Sequence, residues 1–299
     1  MGIGSLDELR AFCAVAETRS FTAAAARLQV TTNGVSLRVR RLEEALGVRL
    51  FVRTTRHVSM TDEGVAVHKT MARMLDEIDA LEAEIRPDRA DLRGTVRIAM
   101  PAVLASGPFF AKLRELQDAH PELWVQTKVS NNPIMPSTEG LDIAIYVGRP
   151  PETAFVGRLL GRVNWVLVAA PEYLRRHGRP TRPADLTRHR CLRLLTNPPQ
   201  NEWTVVDARG REHTVPVGRG YEADDSRALG DAAYAGLGIG LRPAGEAARA
   251  AAQKQLEIVL PKFRFQPLEI HALLPQGRIR VPRVAACLQV LRDAVRELC

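Results

Sequence analysis

The segment from Thr31 to Arg41 contains residue types that can recognise a nucleic acid. Asn33 carries an amide that can donate to and accept from the edge of a base, and Arg38 and Arg40 carry guanidinium groups that pair with phosphates. A helix turns about 100° per residue, which places one set of these residues on a common outward face. That face holds Asn33, Leu37, Arg40, Arg41 and Glu44.

Two short helices joined by a tight turn are needed to position this face. Ser20 is of the residue type that caps a helix, here one over residues 22–28, and Gln29 and Val30 form the turn. Thr31 or Thr32 can cap the second helix. Its buried side is an apolar stripe: Val35, Val39, Leu42 and Leu46. Taken alone, this pattern also suits an ordinary amphipathic helix pair in an all-α core.

The continuation GVRLFVRTTRHVSMT reads as a strand, a basic turn and a second strand, which together predict a wing. A family pattern is then matched in register by Phe12, Val15, Ala16, Ser20, Phe21, Thr22, Ala24, Ala25, Leu28, Val35, Ser36, Arg41, Leu42, Glu43, Leu46, Gly47, Leu50, Phe51, Arg53, Thr54 and Thr61. On these residues the chain resembles the LysR-type transcriptional regulators, strongly to about Gly64 and more loosely beyond.

The resemblance implies a winged helix-turn-helix whose second helix enters the major groove of DNA. The residues that we expect to contact DNA are Ser20, Thr31, Thr32, Asn33, Ser36, Leu37, Arg38, Arg40, Arg41, Arg53 and Arg56. The start of the second helix departs from the family, because Thr31-Thr32-Asn33-Gly34 replaces a start of the Ser-Gln-Pro-Ala type. We therefore expect a base preference of its own, with Asn33 and Leu37 reading an A·T-rich step.

A long amphipathic helix is predicted next. Apolar residues recur at alternating spacings of four and three: Val67, Met71, Met74, Ile78, Leu81 and Ile85. This narrow stripe favours a coiled-coil seam between two copies of the chain, although a helix lying on its own domain is the alternative. We assign residues 1–60 to the winged domain, 61–87 to a linker and dimerisation helix, and 88–93 to a hinge.

Beyond Gly94 the apolar pattern becomes that of strands separated by helices. The strands are TVRIAM, LWVQTKV, LDIAIYVG, VNWVLVAA and LEIHALL, and the clearest helices cover 111–119, 225–235 and 282–298. This alternation predicts a mostly parallel α/β architecture. The resemblance implies two subdomains like those of a periplasmic solute-binding protein, residues 94–163 with 267–299, and residues 164–266. The predicted protein is thus multidomain.

Ligands of open α/β sheets bind beyond the carboxyl ends of the strands. Residues 101–106 and 224–226 lie at such ends, and in the family that the chain resembles both segments border the effector cleft, although each also suits a simple helix start. The expected effector-binding residues are Ala102, Val103, Leu104, Ser106, Asn131, Tyr146, Asp225 and Ser226. Residues 130–137 contain two prolines where the family usually has a helix, and Tyr146 stands where arginine is common. The effector class therefore does not follow from the family.

Charge gives a separate indication of the effector. The net charge of the 299 residues is +8. Residues 1–60 hold nine arginines and five acidic residues, residues 61–90 hold four basic and eight acidic residues, and the remaining excess lies after residue 90. This excess and the helix start after Pro101 favour a small anion, such as a carboxylate, unless the arginines are only solvated surface.

Composition argues against several other classes. The chain is 45% apolar but has no apolar run long enough for a membrane span and no signal peptide, so we expect a cytoplasmic location. Cys13, Cys191, Cys287 and Cys299 lack CxxC spacing, which favours free thiols over disulfides or a zinc site. We expect no metal, no cofactor and no catalytic residues.

Two other classes of protein, an enzyme and a solute-binding protein, are alternatives to a regulator. An enzyme has little support, because GLGIG follows a helix and precedes a strand, the reverse of the order that cradles a pyrophosphate. A solute-binding protein would fit the α/β half but not the winged helix. The resemblance implies a ligand-responsive regulator that dimerises, forms a tetramer on an interrupted palindrome of promoter DNA, and acts on RNA polymerase.

Overall fold

The computed structural model describes residues 5–53, 58–85, 92–136, 140–150, 155–195 and 201–299. The chain forms two compact units, Met1–Ala90 and Asp91–Cys299. Each unit has its own apolar core and is described separately.

The described part of the first unit contains helices and one hairpin, in the order α1 (Leu6–Thr18), α2 (Phe21–Arg27), α3 (Thr32–Leu46), β1 (Phe51–Arg53), β2 (Val58–Met60) and α4 (Asp62–Ile85). Hydroxyl side chains begin the helices of the predicted reading pair. Ser20 Oγ accepts a hydrogen bond from the N–H of Ala23 at 3.2 Å, and Thr31 Oγ1 accepts one from Gly34 at 3.1 Å. The predicted caps are therefore confirmed, with Thr31 rather than Thr32 at the start of α3.

The turn between α2 and α3 is short because one residue adopts a left-handed conformation. Gln29 has φ 53°, and the N–H of Val30 donates to the carbonyl of Ala25 at 3.0 Å. The apolar stripe of α3 then packs inward, since Val35, Val39 and Leu42 are fully buried and Leu46 is partly buried against the same core. These observations confirm the helix-turn-helix predicted from spacing.

The hairpin is fastened to the start of α4. Its register pairs Phe51 with Met60. Thr61 Oγ1 donates to the carbonyl of Arg49 at 2.7 Å and accepts from the N–H of Gly64 at 2.9 Å. A Cβ on Gly64 would lie 2.2 Å from the carbonyl oxygen of Leu50, so this close approach requires glycine.

The second unit is built around a five-stranded sheet in the order β4-β3-β5-β14-β6. Its strands are β3 (Gly94–Met100), β4 (Leu123–Val129), β5 (Ile143–Val147), β6 (Val156–Val163) and β14 (Leu268–Leu274), and its helices are α5 (Gly107–Ala119) and α9 (Pro282–Leu298). Strands β4, β3 and β5 are parallel, so their carboxyl ends meet at one edge. That edge positions the candidate effector site.

The remainder of the unit contains smaller sheets, ordered β12-β7-β13, β11-β8 and β10-β9. The strands are β7 (Trp165–Ala169), β8 (Leu192–Leu194), β9 (Glu202–Val206), β10 (Glu212–Pro216), β11 (Tyr221–Ala223), β12 (Gly240–Pro243) and β13 (Glu257–Val259). The helices are α6 (Pro171–His177), a 3-10 helix (Pro183–Arg188), α7 (Ser226–Tyr234) and α8 (Ala244–Ala252). A further 3-10 turn, Arg278–Arg280, precedes α9. We call residues 92–163 with 268–299 the first lobe and residues 165–259 the second lobe.

The prediction of a mostly parallel architecture is wrong, because five of the eight strand pairs described in the second unit are antiparallel. β14 runs antiparallel to β5 and β6, and β12 and β13 run antiparallel to β7. The reason is that β6 and β14 carry the chain out of and back into the first lobe, so they cross its sheet in opposite directions. The predicted strands LWVQTKV and LEIHALL have the observed bounds, as does the helix over 282–298.

None of the helices in the described part of the chain has both the length and the apolar character needed to cross a lipid bilayer.

Candidate functional site

The outward face of α3 carries most of the residues predicted to contact DNA. Thr32, Asn33, Arg40 and Arg41 are exposed, and Leu37 has 39% of its surface exposed. Ser36 and Arg38, on the flanks of this face, are half-buried. Because Val35, Val39 and Leu42 fix the opposite side in the core, the exposed face is held in one orientation.

Two of the arginines on this face already have acidic partners. Arg38 lies 3.2 Å from the carboxylate of Asp7 on α1, and Arg40 lies 3.5 Å from Glu44, one turn further along α3. Both members of the second pair are well exposed, so the pair is weak and can exchange for a phosphate. Arg41 has no ion-pair partner among the residues that the structure describes.

Ser20 and Thr31 have a structural role besides the predicted one. Each hydroxyl accepts the backbone hydrogen bond that begins its helix. A hydroxyl used in this way remains able to donate to a phosphate oxygen, because its own hydrogen is not consumed. The structure therefore places these two residues at the amino-terminal ends of the helix pair, and Thr31 directly precedes Thr32 and Asn33.

Glu43 is a positioning residue that the sequence analysis did not single out. Its side chain is only 7% exposed, and its Oε1 accepts from the N–H groups of Leu50, at 2.8 Å, and Phe51, at 3.3 Å. These bonds attach the first strand of the wing to α3. The signal was an acidic residue directly beside Leu42 in the apolar stripe, since a buried carboxylate needs partners.

The predicted wing contacts are only partly visible. Arg53 lies at the end of β1, but its side chain is outside the described residues, and so is the whole of Arg56. The hairpin itself is present where the sequence predicted it. Phe51 packs against Phe12 and Phe21, with ring centroids 5.4 and 5.8 Å apart, which holds the wing on the helices.

The predicted seam on α4 divides into two parts. Met71 is 5% exposed and belongs to the core of its own unit, with Val67 partly buried against it. Leu75, which the predicted seam omitted, is also buried there. The prediction that Val67 and Met71 contact a partner chain is therefore wrong. The first turns of α4 pack on α1 of the same chain. Met74, Leu81 and Ile85 are exposed, by 56% for Leu81 and 67% for Ile85, and Ile78 is half-buried.

The candidate effector site is a cavity of about 230 Å³ at the carboxyl ends of β3 and β4. The second lobe closes its other side at the start of α7. The lining residues are Ala102, Val129, Ser130, Asn131, Asn132, Asp224 and Asp225. Three predicted effector residues, Ala102, Asn131 and Asp225, are thus brought together although they are far apart in sequence.

Asn131 joins the two sides of this cavity. Its Oδ1 accepts from the N–H of Ala102 at 3.2 Å, and its Nδ2 donates to the carbonyl of Asp224 at 2.7 Å. The hydroxyl of Ser226, another predicted residue, lies 3.5 Å from the same Oδ1. The amide Nδ2 therefore makes the shortest bond across the cleft, while Oδ1 accepts from Ala102 on the first lobe and, at a longer distance, from Ser226 on the second.

The other predicted effector residues do not line this cavity. Val103 and Leu104 are buried in the core, because residues 101–106 form a turn rather than the start of a helix, and α5 begins only at Gly107. Ser106 caps that helix without a side-chain bond to it. Tyr146 packs in an apolar cluster with Ala144 and Leu273. The expected residues did not include Val129 at the end of β4, Ser130 and Asn132 in the loop that follows it, or Asp224, although the segment 224–226 was itself expected to border the cleft.

The charge of the lining does not support the expected anionic effector. Two carboxylates, Asp224 and Asp225, face the cavity, and none of the lining residues described is an arginine or a lysine. The N–H of Leu104, in the turn after Pro101, already has an acceptor within the chain, because it donates to the carbonyl of Pro101 at 3.0 Å. A carboxylate ligand would meet like charges here, and the helix start that borders the cavity, that of α7, is already capped by the carboxylate of Asp225.

The start of α7 is braced from behind. Asp225 Oδ1 accepts from the N–H of Arg227 at 2.8 Å, which caps the helix. The buried Arg242 donates to the carbonyl of Ser226 at 2.8 Å and forms a bidentate pair with Glu246 on α8. Arg242 therefore connects the first turn of α7 to β12 and α8.

The GLGIG motif has a packing role. Gly236 ends α7 with φ +73°, and a Cβ on Gly238 would lie 2.4 Å from the carbonyl oxygen of Arg190. A Cβ on Gly240 would come within 3.3 Å of Leu192. These glycines let the chain pass closely over β8, which confirms the helix-to-strand order predicted for the motif and explains its glycines without a nucleotide.

Three of the four cysteines are buried thiols. Burial raises the pKa of Cys13 to about 12, of Cys191 to about 11 and of Cys287 to about 12. Thiols with such values are not thiolates at neutral pH and react slowly. Cys299 is exposed at the end of α9, and its Sγ donates to the carbonyl of Arg162. Within the described ranges, no group of histidine, cysteine and acidic residues has the arrangement of a metal site.

Two family models match the chain along most of its length. The model "Bacterial regulatory helix-turn-helix protein, lysR family" matches residues 6–65, and "LysR substrate binding domain" matches residues 89–296. The chain is 30% identical to the HTH-type transcriptional activator AaeR of Escherichia coli (strain K12) over 294 residues, which cover 98% of this chain and 94% of AaeR.

Solved structures agree with this assignment. The LysR-type transcriptional regulator CrgA from Neisseria meningitidis has a TM-score of 0.59 with 26% identity, covering 96% of this chain and 99% of CrgA. AphB from Vibrio cholerae, at 24% identity, a TM-score of 0.58 and coverage of 96% and 98%, shares the fold. The resemblance seen in the sequence is confirmed: the chain belongs to the LysR family of transcriptional regulators, with a DNA-binding helix-turn-helix domain and an effector-binding domain.

Proposed function

We propose that α3 enters the major groove and reads an A·T-rich step through Asn33 and Leu37. The support is that both side chains are exposed on the face opposite the buried stripe, near the amino-terminal end of the helix. An asparagine amide pairs with N6 and N7 of adenine, and an exposed apolar side chain fits the methyl group of thymine.

Phosphates hold the protein in register on the DNA. Arg40 and Arg41 border the reading face, and Arg53 and Arg56 belong to the wing. The hydroxyls of Ser20, Thr31, Thr32 and Ser36, together with Arg38, complete the proposed contact surface. Contacts of this kind contribute affinity without sequence preference.

The effector binds in the cavity between the lobes. The cavity volume of about 230 Å³ is below the roughly 300–1,000 Å³ usual for ligand sites, so the proposed effector is a small metabolite. Its lining offers carbonyls, carboxylates and amides, so we replace the expected anion by a small neutral or positively charged molecule that donates hydrogen bonds. The polar lining, with its two carboxylates, supports this choice.

Assembly converts effector binding into a change at the promoter. The exposed apolar residues Met74, Leu81 and Ile85, with Ile78, form the proposed contact between two α4 helices. Two dimers then bind an interrupted palindrome as a tetramer, and contact with RNA polymerase follows from the promoter location. An effector that prefers one lobe arrangement shifts the population of assemblies by its differential affinity.

An enzyme is not proposed. The relatives are named as transcriptional regulators, and GLGIG serves packing. Since promoter DNA is the proposed target, we place the protein in the cytoplasm and assign it no cofactor.

The DNA-reading proposal is tested by replacing the contacted thymine with uracil, which removes only the methyl group. Binding of the wild-type protein should weaken, whereas a Leu37→Ala variant should respond little. Equal losses for both proteins would show that Leu37 does not read the base. The effector proposal is tested by thermal shift with size-matched amines, neutral polar compounds and carboxylates, and stabilisation by carboxylates alone would reject it.

A further inference from the structure

We infer that Asn131 is a positioning residue that sets the separation of the two walls of the effector cleft. An effector then acts by competing for the groups that the Asn131 amide links. This inference rests on the proposed function of the cavity as the effector site. The linked groups are the N–H of Ala102 on the first lobe and the carbonyl of Asp224 on the second, 93 residues beyond Asn131.

Asn131 is anchored firmly on the first lobe. The N–H of the preceding residue, Ser130, donates to the carbonyl of Met100 at 3.0 Å, so the ends of β3 and β4 are tied together. The hydroxyl of Ser130 accepts from the N–H of Asn132 at 3.1 Å. The residues on both sides of Asn131 are hydrogen-bonded, and its Oδ1 accepts from Ala102. These bonds leave the Nδ2 of the side chain directed at the second lobe.

The group that it meets on the second lobe is equally well held. Asp224 directly precedes Asp225, which caps α7, and the carbonyl of Ser226 accepts from Arg242 at 2.8 Å. Arg242 is buried and paired with Glu246 on α8. A change in the bond between Asn131 and Asp224 is therefore transmitted to β12 and α8 and is not absorbed by a loose loop.

The chemistry of the link requires an amide. Oδ1 accepts from one lobe while Nδ2 donates to the other, and the carboxylate of aspartate, which has nearly the same shape, can only accept. Aspartate at this position would place its charge against the carbonyl of Asp224 and beside two further carboxylates. Asn131→Asp should therefore keep an acceptor for Ala102 and for the more distant hydroxyl of Ser226, and lose the short bond to the carbonyl of Asp224.

Asn132 provides a matched control. It lines the same cavity, and its side chain forms no hydrogen bond with another residue in the described part of the chain. Asn132→Asp adds the same charge to the same cavity one residue further on, without removing a link between the lobes.

The test is hydrogen–deuterium exchange of the full-length protein, alone in solution, for wild type, Asn131→Asp, Asn131→Ser and Asn132→Asp. We expect both Asn131 variants to exchange roughly fivefold faster in the peptide over 224–229, the value for losing about one hydrogen bond. In the peptide over 101–106 only Asn131→Ser should exchange faster, because Asn131→Asp keeps an acceptor for the N–H of Ala102. Asn132→Asp should match the wild type in both peptides. Asn131→Ser makes the test independent of added charge and of any folding defect specific to the aspartate.

The peptide over 224–229 decides the outcome. A merely local role for Asn131 would change exchange only near residues 101–106 and 130–132. Unchanged exchange at 224–229 in both Asn131 variants, or an equal increase in Asn132→Asp, would overturn the inference. The measurement needs neither DNA nor effector, so a failure to find a stabilising compound would count against the proposed effector site and not against the link.

Discussion

The carboxylate of Glu43 lies 2.8 Å from the backbone nitrogen of Leu50 and accepts its hydrogen bond in the interior of the first unit. This contact connects α3 to the first strand of the wing, so the two elements proposed to contact DNA are fixed relative to each other. The N–H of Phe51 donates to the same oxygen at 3.3 Å. One buried side chain therefore satisfies two backbone donors at the start of β1.

Removing this carboxylate should loosen the wing and weaken binding to every DNA sequence. Glu43→Ala leaves two buried N–H groups without an acceptor, which costs about 1–3 kcal/mol in the free energy of unfolding of the first unit. Faster amide exchange at Leu50 and Phe51 is the measurement. Glu44→Ala, at the exposed neighbouring position, is the control and should leave exchange unchanged. Similar exchange in Glu43→Ala and Glu44→Ala would contradict the assignment.

Phosphate contacts should appear in the salt dependence of DNA binding. Arg40→Ala, Arg41→Ala and Arg53→Ala are each expected to lower the slope of log affinity against log salt concentration by about one and to weaken specific and non-specific DNA alike. Arg73→Ala, on the exposed side of α4, is the matched control. Slopes equal to that of the control would remove these arginines from the contact surface.

The exposed part of the α4 stripe should hold two chains together. Leu81→Asp places a charge at a position that is 56% exposed in the single chain, so it should split the dimer without unfolding its own unit. Val65→Asp is the control, because Val65 is similarly exposed on the same helix but points away from the stripe. Sedimentation at low micromolar concentration should give a monomer only for Leu81→Asp. A dimer mass for that variant would argue for a different interface.

A buried histidine should make the second unit less stable in mild acid. His189 Nδ1 lies 3.2 Å from the hydroxyl of Tyr173, and that hydroxyl accepts from the N–H of Arg190 at 2.9 Å, which leaves its own hydrogen available to the Nδ1 of a neutral His189. Burial, and then the nearby His177, lower the pKa of His189 below its ordinary value, and Asp185 opposes this shift.

The unfolded chain therefore binds the proton first, and stability is lost as the pH falls from about 6.5 towards the lower folded pKa. The transition temperature of the wild type should fall between pH 8 and pH 5.5 by more than that of His189→Asn. The difference in transition temperature between wild type and His189→Asn at pH 8 gives the loss of packing in the variant separately. An equal fall in both proteins would show that His189 does not cause the pH dependence.

Local chemistry made the first unit predictable from sequence. The caps at Ser20 and Thr31 and the stripe of Val35, Val39 and Leu42 depend on neighbours within a few residues, and all are observed. Met71 was misassigned because a helix that packs first on its own unit and then leaves it has one continuous apolar pattern. The sequence does not show where along α4 the contact with α1 ends.

The effector cavity was harder to predict, because its lining comes from chain segments that only the tertiary fold brings together. Asn131 and Asp225 were found from their positions after predicted strands, whereas Val103 and Leu104 were wrongly included because a turn was taken for a helix start. The expectation of an anionic effector, which rested on the charge excess after residue 90, is likewise not supported by the lining of the candidate cavity. Net charge reports on the whole surface, while an effector meets only the few groups that line its cavity.

The central claim is that this protein reads a defined DNA sequence through the outward face of α3. Selection of bound fragments from randomised double-stranded DNA by the full-length dimer tests it most directly, with Asn33→Ala and the control Asn132→Ala run in parallel. We expect wild type and Asn132→Ala to enrich one interrupted palindrome with A·T pairs in each half-site. We expect Asn33→Ala to lose the preference at those pairs. No enrichment by the wild type, or the same palindrome from Asn33→Ala, would contradict it.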